Sequence, residues 1–173
     1  MKITRFILAQ KGFTLLELLL VMVVIAAVAG IGVTTFNSYS KNQAFSQAVF
    51  NFVNTLNTAK ARAYSQVKPD SIPACNGSAT LDGYYVIPDL VPPYRNYFLG
   101  VQCSGGRAMI SQFTLPAEIS FQPTSGTPPS TTTEIFFHVL TGGVSGPGVI
   151  VLTDSSGLIK KVTVSNVGVI SVK

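Results

Sequence analysis

The feature that most limits how this chain can fold is a long apolar run over residues 13–33, in which Glu17 is the single charged residue. As an α-helix these 21 residues span about 30 Å, which matches the hydrocarbon thickness of a bilayer. A helix in the core of a soluble domain is normally amphipathic, whereas this one is apolar on every side. The run therefore predicts a transmembrane helix.

Basic residues lie on one side of this run. Lys2, Arg5 and Lys11 precede it, and the next basic residue is Lys41. The positive-inside rule therefore predicts a cytoplasmic N-terminus and an external location for the chain beyond about residue 35. Without those three residues, nine basic and seven acidic residues remain, so the formal net charge falls from +5 to +2. So weak a charge argues against a broad nucleic-acid surface.

A cleavable secretory signal peptide is the first alternative, because the small residues at 27–30 are compatible with a cleavage site. Two observations argue against it. The apolar run is longer than the roughly 7–15 residues of a typical signal-peptide core. A carboxylate near its start also costs insertion energy and serves no purpose in a peptide destined for removal.

The segment KGFTLLELLLVMVVIAAVAG at residues 11–30 resembles the leader and N-terminal helix of type IV pilins and type II secretion pseudopilins. In that family a short basic leader ends in glycine, and a prepilin peptidase cuts after it. The new N-terminal residue is N-methylated, and the fifth mature residue is usually glutamate. The resemblance implies cleavage between Gly12 and Phe13, N-methylation of Phe13, and the family role for Glu17. The proline common at the 22nd mature position is Thr34 here.

The physical role of Glu17 follows from where the resemblance places it. A charged residue at depth in a membrane costs about 2.5–3.5 kcal/mol and normally has a partner. Cleavage after Gly12 would create an ammonium group on Phe13. In a filament of parallel helices, Glu17 of one subunit would neutralise Phe13 of the next and fix their register. Pairing with the amine of its own subunit before assembly remains a second arrangement.

A second helical pattern follows the apolar run. Apolar residues recur at spacings of three and four, and polar residues occupy the other face. The apolar positions are Phe45, Ala48, Val49, Phe52, Val53, Leu56, Ala59 and Ala63. Gly30, Gly32, Thr34 and Thr35 predict a soft point between the two halves. The helix should end at about residue 66, before Pro69.

The remainder of the chain predicts β-strands joined by turns rich in glycine, proline, asparagine and aspartate. The expected strands are residues 83–88, 96–103, 107–115, 134–140, 148–154, 158–165 and 167–173. The segment 120–134 is rich in Pro, Ser and Thr, and is expected to be a surface loop.

The last four predicted strands resemble the C-terminal region of the pseudopilin H and FimT-type minor pilin family. That pattern is a strand with phenylalanine, a Gly-rich loop, an apolar strand, a glycine turn and a final Val-x-Val-Ser segment followed by glycine. The matching positions are Phe136, Phe137, Gly142, Gly143, 149–152, Gly157, 162–165 and Gly168. The two resemblances bracket the chain and leave residues 69–133 without a motif.

Together these observations predict an α+β, pilin-like fold. A long N-terminal helix, transmembrane in its first half and amphipathic in its second, should pack on an antiparallel β-sheet domain. The expected divisions are a cleaved leader at 1–12, a transmembrane and assembly helix at 13–33, and a periplasmic or extracellular domain at 34–173.

Cys75 and Cys103 are the only cysteines. In a domain outside the cytoplasm a disulfide between them is favoured over two free thiols. An aromatic cluster in the sequence predicts either core packing or a partner-binding surface, and its members are Tyr84, Tyr85, Tyr94, Tyr97 and Phe98.

No catalytic, cofactor-binding or metal-binding residue is predicted. His138 is the only histidine and has no Cys/His cluster beside it, so a structural role is expected. The carboxylates beyond Glu17 form no acid–base pair by spacing. They are Asp70, Asp82, Asp89, Glu118, Glu134 and Asp154. The chain is therefore not expected to be an enzyme. A membrane-tethered enzyme would need His138 beside a carboxylate and a nucleophile in a pocket.

The function implied is that of a minor pseudopilin of a type II secretion system, a structural subunit near the tip of the periplasmic pseudopilus that supports protein export. The implied partners are other pilin subunits, the prepilin peptidase, the inner-membrane assembly platform and the lipid bilayer. The implied location is the bacterial inner membrane, spanned once with the N-terminus in the cytoplasm, and then the filament.

The alternative is a FimT-like minor type IV pilin that acts in pilus assembly or DNA uptake. DNA-binding members of that branch end in Gly-Arg-x-Arg, whereas this chain has Gly-Val-Ile-Ser at 168–171. Nucleic acid is therefore not an expected partner, although Lys160, Lys161 and Lys173 are candidates for a small basic patch.

Overall fold

The computed structural model describes residues 13–69, 71–89, 91–127 and 130–173, and of residues 28–37 it describes the backbone alone. Helix α1 spans Leu15–Tyr64 and continues unbroken through residues 30–35, where the sequence predicts a soft point. The chain forms two compact units, Met1–Asn42 and Gln43–Lys173. The second unit contains the last part of α1 and all of the β-structure.

Helix α1 ends two residues before the predicted position, and its end is capped by backbone bonds. Gln66 has a φ of 52° and donates its N–H to the Ala63 carbonyl at 3.3 Å. The Val67 N–H donates to the Arg62 carbonyl at 3.2 Å. This pair of bonds satisfies carbonyls of the last turn. The residue with left-handed backbone in such a motif is usually glycine, and here it is Gln66. The Tyr84 hydroxyl then donates to the Val67 carbonyl and fixes the exit of the chain.

A short 3₁₀ turn at Pro73–Cys75 precedes the strands, of which the described residues contain nine. The strands are β1 (Leu81–Pro88), β2 (Asn96–Cys103), β3 (Gly106–Thr114), β4 (Ile119–Phe121), β5 (Ile135–His138), β6 (Val144–Ser145), β7 (Gly148–Asp154), β8 (Ile159–Val164) and β9 (Ile170–Val172). The bounds of β2 and β7 coincide with those predicted. Strands β4 and β6, of three and two residues, are absent from the prediction.

The strands form two antiparallel sheets. The first has the order β3-β2-β1-β5-β6, and the second has the order β4-β7-β8-β9. The predicted α+β class, with a helix packed on antiparallel β-structure, is confirmed. The last four predicted strands do not stay together, because β5 pairs with β1 while β7, β8 and β9 belong to the other sheet. Local patterns specify strands, but they do not say which distant strand each one will join.

The second part of α1, residues 43–64, packs its apolar face against both sheets in one core. Phe45, Phe52 and Leu56 are fully buried there. The Phe52 ring lies 5.2 Å from Tyr97 of the first sheet and 5.2 Å from Phe121 of the second, both edge to face. Each such large side chain contributes about 1.5–3 kcal/mol through burial. The amphipathic pattern in the sequence therefore identifies the correct helix face.

The segment 120–134 was expected to be a surface loop, and that prediction is wrong for residues 130–132, which are partly buried. Ser130 and Thr132 are buried, and Thr131 exchanges bonds with Val149: its N–H donates to the carbonyl and its hydroxyl accepts the amide proton. The Ser130 hydroxyl accepts from the Val151 N–H at 3.1 Å. Hydroxyl groups thus satisfy backbone groups along β7, which a low-complexity composition cannot reveal.

Two lysines join α1 to the strands of the second sheet and its final turn. The Lys60 ammonium donates to the Gly168 carbonyl at 2.9 Å, and the Lys160 ammonium donates to the Ser46 hydroxyl at 3.0 Å. The residues of each pair are more than 100 positions apart in sequence. These bonds attach the helix to β8 and to the turn before β9 at two separate points.

Candidate assembly site at the N-terminal helix

The start of α1 is organised by Thr14. Its hydroxyl accepts the Glu17 N–H at 3.2 Å, and its carbonyl accepts the Leu18 N–H at 3.1 Å. Thr14 is therefore the N-cap, and the order Thr-x-x-Glu is that of a capping box. Glu17 lies in the first turn, where the helix dipole favours a negative charge. Sequence reasoning missed Thr14, although a threonine three residues before a glutamate was the signal that could have identified it.

Gly12, the residue before the predicted cleavage point, lies outside the described residues, as does the rest of the predicted leader. Phe13 is described, and 80% of its surface is exposed. It precedes the first helical residue, Leu15. The backbone on the C-terminal side of the predicted scissile bond is therefore not helical.

The first turns of α1 expose apolar side chains around the helix. The exposed fraction ranges from 83% at Leu15 to 45% at Val21. Phe13, Val21 and Ile25 contribute to an open apolar groove of about 240 Å³. A contiguous exposed apolar surface of this kind marks a site of interaction with protein or lipid. No helix among the described residues reaches the combination of length and hydropathy required of a membrane span.

Cys75 and Cys103 are joined in a disulfide whose Cα atoms lie 5.3 Å apart. Both residues are buried, and the bond connects the 3₁₀ turn to the end of β2. The pairing favoured by the sequence is thus the pairing in the structure. It anchors the segment between α1 and β1 to the first sheet.

His138 lies on β5, where its Nε2 is 2.7 Å from the Ser145 hydroxyl. The carboxylate that precedes the same strand, Glu134, is instead paired with Arg107 through two contacts of 3.0 Å. The structure therefore does not join these residues into a nucleophilic triad. No group of three or more His, Cys, Asp or Glu side chains able to hold a metal ion occurs among the described residues.

The aromatic cluster is divided between core and loop positions. Tyr84 and Tyr97 are buried in the core, Tyr85 is buried on the outer face of the first sheet, and Tyr94 and Phe98 are half-buried. Burial raises the pKa of Tyr97 above its usual value of 10.0. Buried side chains cannot form the partner-binding surface that the sequence left as an alternative.

The three lysines considered as a basic patch do not share one face. Lys160 faces α1, where its ammonium bonds to Ser46 and lies 5.9 Å from the centre of the Phe45 ring. Lys161 is the next residue along β8 and lies on the opposite face of the sheet. Lys173 is its cross-strand neighbour, with 2.8 Å between the Lys161 nitrogen and the Lys173 carbonyl. This leaves a pair of lysines in place of a patch of three.

A family model described as the prokaryotic N-terminal methylation motif matches residues 7–33. No curated protein and no solved structure shows significant similarity to the chain. The matched segment contains Gly12, Phe13 and Glu17, the residues on which the resemblance to pilins depends.

The match is to a prepilin-type motif, and it supports a type IV pilin-like or pseudopilin-like protein. It also implies processing by prepilin peptidase and assembly into pilus-like polymers. The motif suggests a structural subunit and not an enzyme.

Proposed function

We propose that this chain is a minor pseudopilin of a type II secretion system, a structural subunit placed near the tip of the short periplasmic pseudopilus. The observation that carries the proposal is the methylation motif at residues 7–33, located at the start of a helix whose apolar side chains are exposed. The resemblance of the C-terminal strands to pseudopilin H and FimT-type minor pilins is the reason for proposing a minor subunit of this branch.

In this proposal residues 1–12 are a leader that prepilin peptidase removes, and Phe13 becomes the N-methylated terminus. Residues 13–33 cross the inner membrane once before assembly, with the N-terminus in the cytoplasm. Residues 34–173 lie in the periplasm. The bilayer, the assembly platform and neighbouring subunits then cover, at successive stages, the side chains that are exposed in the isolated chain.

Glu17 is the charge partner of the Phe13 ammonium group of the adjacent subunit. Its location in the first helical turn keeps the carboxylate close to the N-terminal end of the helix, where a neighbour's amine can reach it. In apolar surroundings an unpaired carboxylate is costly, so only the register that pairs the charges is stable.

Mass spectrometry of the mature chain tests the processing step. The chain should begin at Phe13 and carry one additional methyl group. It should also contain two hydrogens fewer than the reduced chain, because Cys75 and Cys103 are joined. A mature chain that begins elsewhere, as after a cut in residues 27–30, would contradict the proposal.

Substitution of Glu17 tests the charge pair. Glu17→Gln keeps the shape of the side chain but removes its charge, and we expect incorporation into filaments to fall about tenfold or more. Glu17→Asp retains the charge and should assemble better than Glu17→Gln. The measurement is the amount of the chain in sheared filaments relative to the membrane fraction. Equal incorporation of wild type and Glu17→Gln would refute the pairing.

Deletion of the gene separates the two branches of the family. The proposed function predicts loss of protein export with pili and DNA uptake retained. The opposite pattern would assign the chain to the FimT-like minor type IV pilins.

A further inference from the structure

One end of the second unit carries apolar side chains outside the core. The Lys160 ammonium at the start of β8 bonds to Ser46, near the start of the unit. Lys60, further along α1, bonds to Gly168, which follows β8. Strand β8 therefore runs in the same direction as α1, and the turn before β8 lies at the end of the unit where α1 enters.

Three exposed apolar residues and two lysines form a patch at this end, which we call the entry patch. Its members are Leu158, Ile159, Lys161, Val172 and Lys173. Leu158 and Ile159 are each 41% exposed, and Val172 is 44% exposed. Exposed apolar side chains beside lysines are typical of proteins that contact a lipid surface.

The two lysines of the entry patch face each other across a backbone hydrogen-bonded pair. The Lys161 N–H donates to the Lys173 carbonyl at 2.8 Å, and the Lys173 N–H donates to the Lys161 carbonyl at 2.9 Å. Residues paired in this way project their side chains from the same face of the sheet, and like charges placed so destabilise it. An anion from outside the chain would offset the repulsion, because no ion pair between described residues includes either lysine.

Two carboxylates lie near the entry patch. Asp154 belongs to the turn before β8, and the Ser155 N–H donates to the Glu118 carbonyl at 2.9 Å. The Asp154 carboxylate accepts the N–H groups of Ser156 and Leu158, which hold it within its own turn. The lysines near the patch outnumber these carboxylates, and they are Lys160, Lys161 and Lys173.

We propose that the entry patch docks on the anionic surface of the bilayer while the subunit awaits assembly. This inference rests on the proposed function, in which residues 13–33 cross the membrane. Nine residues separate Val33 from Gln43, the first residue of the second unit. The membrane segment therefore tethers the unit to the bilayer, and such tethering allows weak contacts to suffice.

Phospholipid headgroups supply the negative charge that the entry patch lacks. Their phosphate oxygens accept charge-assisted hydrogen bonds from Lys161 and Lys173 and relieve the repulsion between the two ammonium groups. Leu158 and Ile159 then lie at the boundary between headgroups and acyl chains, where their apolar surface leaves water. All copies docked in this way share one orientation, as assembly with parallel helices requires.

The test uses tryptophan fluorescence, because the chain contains no tryptophan of its own. The full chain with Leu158→Trp is reconstituted in vesicles of phosphatidylglycerol and phosphatidylcholine that carry bromine on their acyl chains. Bromine quenches tryptophan on contact. We therefore expect at least about a twofold loss of emission, together with a shift to shorter wavelength, because the side chain enters the acyl boundary.

Leu140→Trp is the matched control at the other end of the unit. Leu140 is 70% exposed, and Gly142, two residues further on, lies beside Tyr64 in the last turn of α1. Tyr64 is about 27 Å beyond Ser46 along the helix axis. The control variant should keep its emission in brominated vesicles.

Charge variants test the contact with headgroups. In the Leu158→Trp chain, Lys161→Gln with Lys173→Gln should lower the ratio of docked to free patch about fivefold per lysine. Higher salt, or vesicles without phosphatidylglycerol, should also weaken the quenching. Lys68→Gln is the control, because Lys68 lies beyond the end of α1 and bonds to the Gly77 carbonyl, so its loss should leave the quenching unchanged.

Flotation of the vesicles separates this inference from the proposed function. A chain that floats with the vesicles while Leu158→Trp keeps its emission would overturn the docking and leave the membrane anchor intact. A chain that does not float would overturn both. Equal quenching of Leu158→Trp and Leu140→Trp, or equal quenching with and without phosphatidylglycerol, would also overturn the docking. Val172→Trp provides a second position in the patch if Leu158→Trp fails to fold.

Discussion

At the scale of single residues, Gly100 shows how the first sheet accommodates an aromatic ring on its outer face. Gly100 is opposite Tyr85 across β1 and β2, and a Cβ atom at this position would lie 2.1 Å from the ring. The ring in turn lies beneath the Arg107 guanidinium group. The absence of a side chain at Gly100 therefore permits the contact between Tyr85 and Arg107.

We predict that Gly100→Ala destabilises the chain by about 1–3 kcal/mol, because the new methyl group must displace the Tyr85 ring. The urea midpoint of unfolding, measured in detergent, provides the value. Gly143→Ala is a suitable control, since a Cβ there would meet only the Thr141 hydroxyl, at 3.4 Å. Equal midpoints for the two variants would show that the Tyr85 ring can move aside without loss of stability.

At the scale of elements, the turn between β7 and β8 is built around one carboxylate. Asp154 accepts hydrogen bonds from the Ser156 N–H at 2.9 Å, the Ser156 hydroxyl at 2.7 Å and the Leu158 N–H at 2.8 Å. Burial acts to raise the pKa of Asp154, but these hydrogen bonds together outweigh it and hold the pKa below its usual value of 3.8. The ionised form is thus the form that the turn prefers.

A pKa lowered by folding gives stability that is present above the unfolded value and is lost as the pH falls through the folded value. We therefore predict that Asp154→Ala is less stable than the wild type at neutral pH, and that the difference narrows below about pH 4. Denaturant titrations across that range measure the effect. Asp154→Asn retains an acceptor but does not titrate, so its stability should lack this contribution to pH dependence. The prediction would be contradicted if the difference in unfolding free energy between wild type and Asp154→Ala became larger in acid.

We also predict that reduction of the disulfide between Cys75 and Cys103 destabilises the chain. The disulfide closes a loop with a sequence separation of 28 residues, which corresponds to about 3–4 kcal/mol in the chain-entropy model. Reductant should lower the urea midpoint of the wild type accordingly. The double variant Cys75→Ala, Cys103→Ala should resemble the reduced chain and should not respond to reductant. An unchanged wild-type midpoint would show that the turn at Pro73–Cys75 is held by packing alone.

The elements also show where prediction from sequence succeeds. Strands β2 and β7 were predictable, because alternating apolar residues lie between clear turn residues. Strands β4 and β6 were too short to carry an alternating pattern, and their pairing depends on distant residues. The burial of Ser130 and Thr132 was invisible for the same reason. At the N-terminus the prediction rested on Gly12, Phe13 and Glu17, and the matched motif includes all three.

At the scale of the whole molecule, the unit Gln43–Lys173 has its own hydrophobic core, to which both sheets and the second part of α1 contribute. We predict that residues 43–173, produced alone, unfold in a single cooperative thermal transition and form the same disulfide. Calorimetry and mass spectrometry provide the two readouts. A broad, non-cooperative transition would show that the core needs residues 13–42.

The two lysine bonds between α1 and the second sheet have a mechanical consequence. Ser46 and Lys60 lie about 21 Å apart along the helix axis. Their partners, Lys160 and Gly168, belong to β8 and to the turn that follows it. A tensile force along the axis would strain both bonds and the intervening side chains in shear, so that they must rupture together and not one after another. Pulling α1 along its axis therefore requires the helix to slide past the second sheet while both bonds break.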